Sequence, residues 1–301
     1  MNAPATIAPD RTHFLGGSDT AAVLGISPWK TPLQLWQQKT QPFDEPTDPQ
    51  RQRVLTRGKR MEPYVVDLLA EETGLQIVRR GERYIDREHG FLAAEIDAEA
   101  ASGENVEIKT VSPFKAKDWG ELGTDAIPVY YTAQAMHGLM ITGRDVCIFG
   151  VLIGGDDFRV YRVERDDETI AAIREREVRF WRDHVEARVA PEPMSAEDLA
   201  LLFPRDIGTA VEADTETLVA WNELREAKAR VKSIECDIEV FEETIKRRIG
   251  AAARLTLDGR DIASWKSQTA RRFDQAAFKA AQPAVFEQFM KTTECRVLRL
   301  K

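Results

Sequence analysis

The stretch EIDAEAASGENVEIKT, residues 95–110, decides the fold and points to the chemistry. It lies within two strand-like runs, FLAAEIDAEA (91–100) and ENVEIKTV (104–111), separated by Ser102-Gly103, which reads as a hairpin turn. Residues two apart in a strand share a face, so Glu107 and Lys109 project together while Ile108 points into the core. The hairpin brings Asp97 beside them. Two carboxylates and one ammonium on a sheet surface suit a divalent cation. Hard oxygen ligands hold Mg²⁺ with several of its waters, and a lysine orients an attacking water or helps to deprotonate it. That combination suits phosphodiester hydrolysis. A D-x9-E-x-K spacing also arises by chance in a charged chain, and a Glu/Lys pair on a strand is ordinarily a solvated face. Here the pair sits in an apolar frame, VEIKTV beside AAEIDA, where exposed charge is unexpected.

Outward from the hairpin, residues 51–73 (RQRVLTRGKRMEPYVVDLLAEET) place Met61, Val65, Leu68 and Leu69 at helical spacing and stop at Gly74. Pro63 inside this pattern predicts a kink or a new turn. A strand is expected over 75–86, a helix over 128–142, two strands around Gly154-Gly155-Asp156-Asp157 within 145–165, and a charged helix over 166–188. The order predicts an α/β domain over residues 1–190, a sheet flanked by helices. Pro191, Pro193, Pro204 and Gly208 mark residues 191–213 as a linker with one short helix. Beyond it, Leu224, Ala227, Val231, Ile234, Ile238, Phe241 and Ile245 repeat every three or four residues between 214 and 249. At about 1.5 Å per residue this is a helix of roughly 50 Å with coiled-coil character. The module 214–301 then continues with a hairpin through Asp258-Gly259, a short helix and a final strand, CRVLRL (295–300).

Composition narrows the function classes. The chain has 301 residues, 43% hydrophobic and 31% charged, as in a soluble globular protein. No run reaches the roughly 18 apolar residues of a membrane span, and MNAPATIAPDR lacks the apolar core of a signal peptide, so a cytoplasmic protein without a membrane partner is expected. Cys147, Cys236 and Cys295 are far apart, and the four histidines are dispersed, which supports neither a disulfide framework nor a zinc site. A net charge of -8 gives no general attraction to nucleic acid, so DNA binding requires local basic patches. Arg51, Arg53, Arg57, Lys59 and Arg60 form one such run, Lys115 and Lys117 follow the central strand, and Lys266, Arg271 and Arg272 offer a weaker third.

Near the N-terminus, LGGSDTAAVLGISPWKTPLQLW (15–36) carries two consecutive helix starts. Ser18 is a good N-cap for a helix from Asp19, and Gly16 and Gly17 let backbone amides approach a ligand closely. Unpaired N–H groups and a partial positive charge suit such a start to a phosphate, although two plain helix caps remain an alternative. Asp19 would repel that phosphate, so a capping or ion-pairing role is expected for it. The second start, Ser27-Pro28-Trp29, reads as structural, with Trp29, Leu33 and Trp36 packing inward.

GGSDTAAVLGISPWKTPLQLW, Glu62 on a helix, Asp97, the EIK at 107–109 and Gln134 on a later helix together resemble the YqaJ viral recombinase family, the phage lambda exonuclease-like branch of the PD-(D/E)xK nucleases. The family-like stretch covers residues 11–190. Ile96 stands where the family's nominal motif has proline. The resemblance implies a restriction-endonuclease-like core and a metal site of Asp97, Glu107, the main-chain carbonyl of Ile108, and Glu62. Lys109 would contact the scissile phosphate and the water nucleophile, and Gln134 would reach back toward both. Arg11 and Ser18 match the spacing at which lambda exonuclease-like enzymes hold a 5′-terminal phosphate. Tyr131 and His137, one turn either side of Gln134, are expected to pack. The implied cofactor is Mg²⁺, with Mn²⁺ as a substitute. The implied activity is 5′ to 3′ exonuclease action on double-stranded DNA ends in phage-type recombination, with a single-strand annealing protein as partner and ring-shaped homo-oligomers. An endonuclease or nickase of the same chemistry, and a non-catalytic DNA-binding adaptor, remain the alternatives; a decayed nuclease would be expected to lose Asp97, Glu107 or Lys109, and all three are present.

Overall fold

The computed structural model describes residues 11–41 and 49–300, and of Arg51 the backbone alone. Residues 1–10, most of the segment read for a signal peptide, and the Arg51 side chain of the first basic run lie outside the described residues. The chain divides into two compact units, residues 1–199 and 200–301. Helices α1 (Gly17–Val23), α2 (Pro32–Thr40) and α3 (Pro49–Thr73) come first. Strands β1 (Ile77–Ile85), β2 (Ala93–Ala100) and β3 (Asn105–Val111) follow, then α4 (Val129–Thr142), β4 (Val146–Ile153), β5 (Asp157–Glu164) and α5 (Asp167–Phe180), which widens into a π-type turn over Trp181–Glu186. The five strands form one sheet in the order β1-β2-β3-β4-β5. All neighbours are antiparallel except β3 and β4, whose parallel pairing follows from the crossover through α4. This is the α/β core expected from the sequence: a mixed sheet between helices.

Alternation along β4 sets the layers. Cys147, Phe149, Val151 and Ile153 pack in one cluster with Ala22 of α1, Leu35 of α2, Leu139 of α4 and Ile173 of α5. Ile148 and Leu152 point the other way and pack with Val65, Val66 and Leu69 of α3. A strand buried on both faces needs a continuous apolar run, and VCIFGVLI supplies one. Gly150 is required where α3 closes on the sheet, because a Cβ there would stand 3.0 Å from Ile108 Cδ1 and 3.5 Å from Leu69. Helix α3 runs unbroken through Pro63, which lies on its exposed side, where water replaces the missing donor.

Several local expectations are corrected. Helix α1 begins at Gly17 with Gly16 as its cap, which moves Ser18 into the first turn. Helix α2 begins at Pro32, capped by Thr31, and not at Pro28, because the Thr31 hydroxyl accepts from Gln34 N while Gln34 returns a side-chain bond to Thr31 N. Leu33 is fully buried and Trp36 partly so, but Trp29 precedes the helix, falls off its apolar stripe and is 54% exposed. Residues 295–300 form no ladder among the described residues.

After α6 (Ala196–Leu202), the second unit contains α7 (Thr215–Ile249), a hairpin of β6 (Arg254–Leu257) and β7 (Arg260–Ser264), and two short helices, α8 (Gln275–Ala281) and α9 (Pro283–Gln288), where one was expected. Asp258 and Gly259, at φ 48° and 76°, both take the left-handed conformation that a two-residue hairpin turn demands. The apolar row of α7 from Val231 to Ile245 is exposed in this chain.

Leu69 has no solvent exposure and joins α3 to the sheet. Leu69→Ala is expected to destabilise the first unit by about 2–5 kcal/mol in denaturant unfolding. A loss below about 1 kcal/mol would show that α3 does not close this face of the core.

Candidate active site

The β2–β3 pairing is short. Ala98 faces Val106 and Glu99 faces Asn105, and beyond these two pairs the strands part. At the point of parting, the N–H of Ile108 donates to Asp97 Oδ2 at 2.8 Å, so a side chain takes the bond that a strand partner would otherwise accept. β3 pairs with β4 instead, setting Glu107 opposite Phe149 and Lys109 opposite Val151. The apolar side chain of Ile108 turns to the α3 face. Glu107, 3% exposed, accepts at Oε2 from Lys109 Nζ (3.1 Å) and from Gln134 Nε2 of α4 (2.7 Å). The Lys109 ammonium lies 5.1 Å from the centre of the Tyr131 ring. Asp97, Glu107 and Lys109 are therefore brought together, as the hairpin reading of the sequence expects, and Gln134 joins them, as the resemblance implies.

Burial dominates the electrostatics. It raises the Asp97 carboxyl above its ordinary value, with the Lys109 charge and the Ile108 N–H opposing. Burial raises Glu107 further, to about 7, helped by the neighbouring Asp97 and Glu62 and resisted by Lys109. Burial alone would lower Lys109, but the carboxylates of Glu107 and Asp97 more than offset it, so the amine is held protonated and suited to orient an anion. Glu62, on α3, is raised by burial and by Asp97, against Lys59 and Lys109. It is thus within electrostatic reach of the pair, yet no three Asp, Glu, His or Cys side chains converge closely enough to enclose a cation among the described residues.

A cavity of about 170 Å³ opens beside the parted strands, lined by Arg11, Gly17, Ser18, Asp97, Glu107 and Gln134 among others. Arg11 Nη2 donates to Ser18 Oγ at 2.8 Å, and its Nη1 reaches Glu95 at 3.3 Å. The two residues that the resemblance singles out thus share one cavity with the carboxylate cluster. Asp19 does both things expected of it. Its Oδ2 accepts from Gly16 N at the start of α1, and it pairs with Lys39 (2.9 Å) and Lys30 (3.3 Å). Burial raises Asp19, but Lys39, Lys30 and Arg11 together bring it down to about 2, so it stays ionised and its charge is neutralised locally.

Lys39 was not singled out from the sequence. Its side chain is 3% exposed, and Nζ also donates to the carbonyls of Arg11 and Phe14, both at 2.6 Å, which pins the loop carrying Arg11. The one available signal is its position four residues after Leu35, on the buried stripe of α2. Glu177 was also missed. It is fully buried, accepts from Thr20 Oγ1 of α1 at 2.7 Å, and meets His137 Nδ1 of α4 at 2.9 Å. His137 packs as expected, with Nε2 against Ala93 O at 2.9 Å. The one signal for Glu177 is the same in kind as for Lys39: it falls four residues after Ile173 on the buried stripe Ile170, Ile173 and Phe180 of α5, where the other acidic residues of the helix do not.

Comparison with known proteins bears out the resemblance. Residues 8–145 match the YqaJ-like viral recombinase domain. Over 300 residues the chain is 27% identical to the uncharacterized protein YqaJ of Bacillus subtilis (strain 168), covering 97% of this chain and 92% of that protein. Among solved structures, the alkaline exonuclease LHK-Exo from Laribacter hongkongensis aligns over 60% of this chain and 91% of its own, with 19% identity and a TM-score of 0.48. A phage related exonuclease from Haemophilus somnus 129PT aligns over 58% of this chain and 95% of its own, with 15% identity and a TM-score of 0.40.

Both ring nitrogens of His137 face acceptors. Although burial disfavours the charge, Glu177, the Ala93 carbonyl and Asp19 raise the imidazole above its ordinary value. Because the folded value exceeds the unfolded one, the stabilisation is complete below about pH 6.5 and is lost as pH rises through the folded value. The stability difference between wild type and His137→Gln, measured by denaturant unfolding from about pH 5 to 9, is expected to shrink on the alkaline side. A flat difference across that range would exclude a charged His137.

Proposed function

We propose, on the premise that residues 8–145 form a YqaJ-like viral recombinase domain, that the chain is a metal-dependent deoxyribonuclease acting 5′ to 3′ on double-stranded DNA ends. The observation that carries the reading is the convergence of Asp97, Glu107, Lys109 and Gln134 where β2 and β3 part, with Asp97, Glu107 and Gln134 lining the cavity that also takes Arg11 and Ser18. The donor set fits a hard divalent cation. Two carboxylates with raised proton affinity, a third in electrostatic reach and a strand carbonyl are oxygen ligands whose mutual repulsion a cation relieves. Asp97, Glu107, the carbonyl of Ile108 and Glu62 would hold Mg²⁺, or Mn²⁺ in its place. A bound cation supplies Lewis acidity to the phosphoryl group and to the attacking water.

The chain's own residues do the rest. Lys109, kept protonated by its carboxylate neighbours, contacts the scissile phosphate and aligns the attacking water. Gln134 fixes the orientation of Glu107 through its 2.7 Å bond. Arg11 and Ser18 hold the terminal phosphate, with Lys39 and Lys30 cancelling the Asp19 charge that would otherwise repel it. DNA is the substrate in this reading, and Arg53, Arg57, Lys59 and Arg60 on α3 offer a basic surface beside Glu62. A single-strand annealing protein and a ring-shaped homo-oligomer are the partners carried by the resemblance. No helix among the described residues is long and apolar enough to cross a membrane.

The test is digestion of linear duplex DNA with 5′-phosphate or 5′-hydroxyl ends beside closed circular DNA, with Mg²⁺ or EDTA. Wild type is expected to degrade the linear DNA only, faster with 5′-phosphate. Lys109→Ala should lose about a hundredfold or more in rate. Arg11→Ala should lose about tenfold or more of the phosphate preference while still cleaving. Cleavage of the circle would move the assignment to an endonuclease, and absence of Lys109-dependent cleavage would leave the adaptor reading.

Cation binding has a separate readout. Because Glu107 takes up a proton near pH 7, Mg²⁺ is expected to raise the melting temperature more at about pH 8 than at about pH 5.5, and Glu107→Gln should abolish the increment. Equal increments at both pH values would sink Glu107 as a ligand.

A further inference from the structure

Trp29 lies in the turn between α1 and α2 and leaves 54% of its surface exposed, although an indole ring gains more from burial than almost any side chain. Its position is held from below. Its N–H donates to Ser27 Oγ at 3.2 Å, and its ring meets that of Tyr130 edge-on, 4.9 Å between centres and 77° between planes. Tyr131 is the next ring inward, 6.0 Å from Trp29, and the Lys109 ammonium stands 5.1 Å from Tyr131. An aromatic row thus runs from the lysine assigned to the scissile phosphate out to an open indole. Trp29, Tyr130 and Tyr131 line one groove of about 1050 Å³ that also takes in Lys109, Gln134 and Arg11.

We propose that Trp29 is a stacking platform for an unpaired nucleobase of the strand being cleaved, with Tyr130 bracing the indole from its edge. This rests on the nuclease reading of the same groove. The occupant is a base and not an apolar protein segment, because the row is continuous with the phosphate-facing lysine and cationic side chains border the groove. A nucleotide offers that pairing of an anion with a flat π surface on one short unit, and stacking on an aromatic side chain tolerates any base. Within a duplex both faces of a base are already covered. Trp29 can therefore take only a base whose stack has ended or opened, and it selects strand ends or distorted steps over continuous duplex.

The test is equilibrium binding of the full chain in EDTA, where no cleavage occurs, to a short 5′-phosphorylated duplex labelled at its far end. The duplex carries either intact bases or an abasic analogue at each of the first three nucleotides of the phosphorylated strand. Wild type is expected to lose about tenfold in affinity when the base at one of these positions is removed. Trp29→Ala should bind intact DNA about tenfold more weakly and lose nothing further at that position, and Trp29→Phe should recover most of the affinity. Trp29 is exposed, so an unchanged melting temperature identifies folded variants. An abasic penalty equal in wild type and Trp29→Ala at every position, or no penalty in wild type, would overturn the proposal. So would Trp29-dependent self-association without DNA, which would assign the patch to a second copy of the chain. Absence of Lys109-dependent cleavage in Mg²⁺ would overturn the nuclease reading separately, since the base coupling is read without turnover.

Discussion

The hydrogen bond from Ile108 N to Asp97 Oδ2 is the constraint on which the site depends. β2 and β3 cannot part inside a covered sheet without orphaning backbone groups, and an unpaired buried N–H costs about as much as a lost hydrogen bond. Asp97 removes that cost by substituting a carboxylate for the missing strand. The strands open after only two residue pairs, and the gap becomes the cavity holding Glu107, Gln134, Arg11 and Ser18. The same carboxylate is fixed in place by the bond it accepts. Fold and site therefore share one interaction.

Two buried charge assemblies lie on either side of this opening, and they differ in kind. Around Asp19, two lysines face one carboxylate; Lys39 is saturated by Asp19 and two backbone carbonyls, and Asp19 stays ionised. That assembly is closed, and it has the character of a clamp on the loop bearing Arg11. Around Glu107 the balance runs the other way. One lysine serves two carboxylates, a third acts from α3, and burial, with Asp97 and Glu62 adding to it, raises Glu107 to about 7. This second assembly is short of positive charge, whereas the first is balanced by its own lysines.

The sequence made much of this legible. The hairpin, the shared face of Glu107 and Lys109 and the inward turn of Ile108 follow from a period of two and one Ser-Gly turn, and both are local. The apolar run of β4 and the helical period of α3 are likewise local signals. What escaped depends on partners far along the chain. Glu177 lies on the apolar stripe of α5 where Glu175 does not, but its partners Thr20 and His137 lie on other helices. Lys39 is held by a loop 25 and 28 residues before it. The start of α2 was misplaced by one proline, since Ser-Pro and Thr-Pro are equally good starts on paper and the Thr31–Gln34 capping box decides between them. That shift removed Trp29 from the helix and turned it from a core residue into an exposed one. The final run CRVLRL had strand-like composition but finds no ladder among the described residues, because propensity without a partner edge does not make a strand.

The interior network also ties the loop bearing Arg11 to the sheet. Leu15 N bonds Phe91 O and Leu15 O accepts from Ala93 N, so the segment entering α1 runs along the start of β2. His137 then takes the Ala93 carbonyl on one side and Glu177 on the other, and Glu177 reaches Thr20 in α1. β2, α4, α5 and α1 are thereby joined through one buried imidazole and one buried carboxylate. Gln134 is one helical turn before His137 on α4, so the element that orients Glu107 is the one anchored to the loop carrying Arg11. A displacement of α4 would move both ends of the cavity together. The distance from Arg11 and Ser18 to the carboxylate cluster is consequently a property of the buried network and not of the exposed side chains alone.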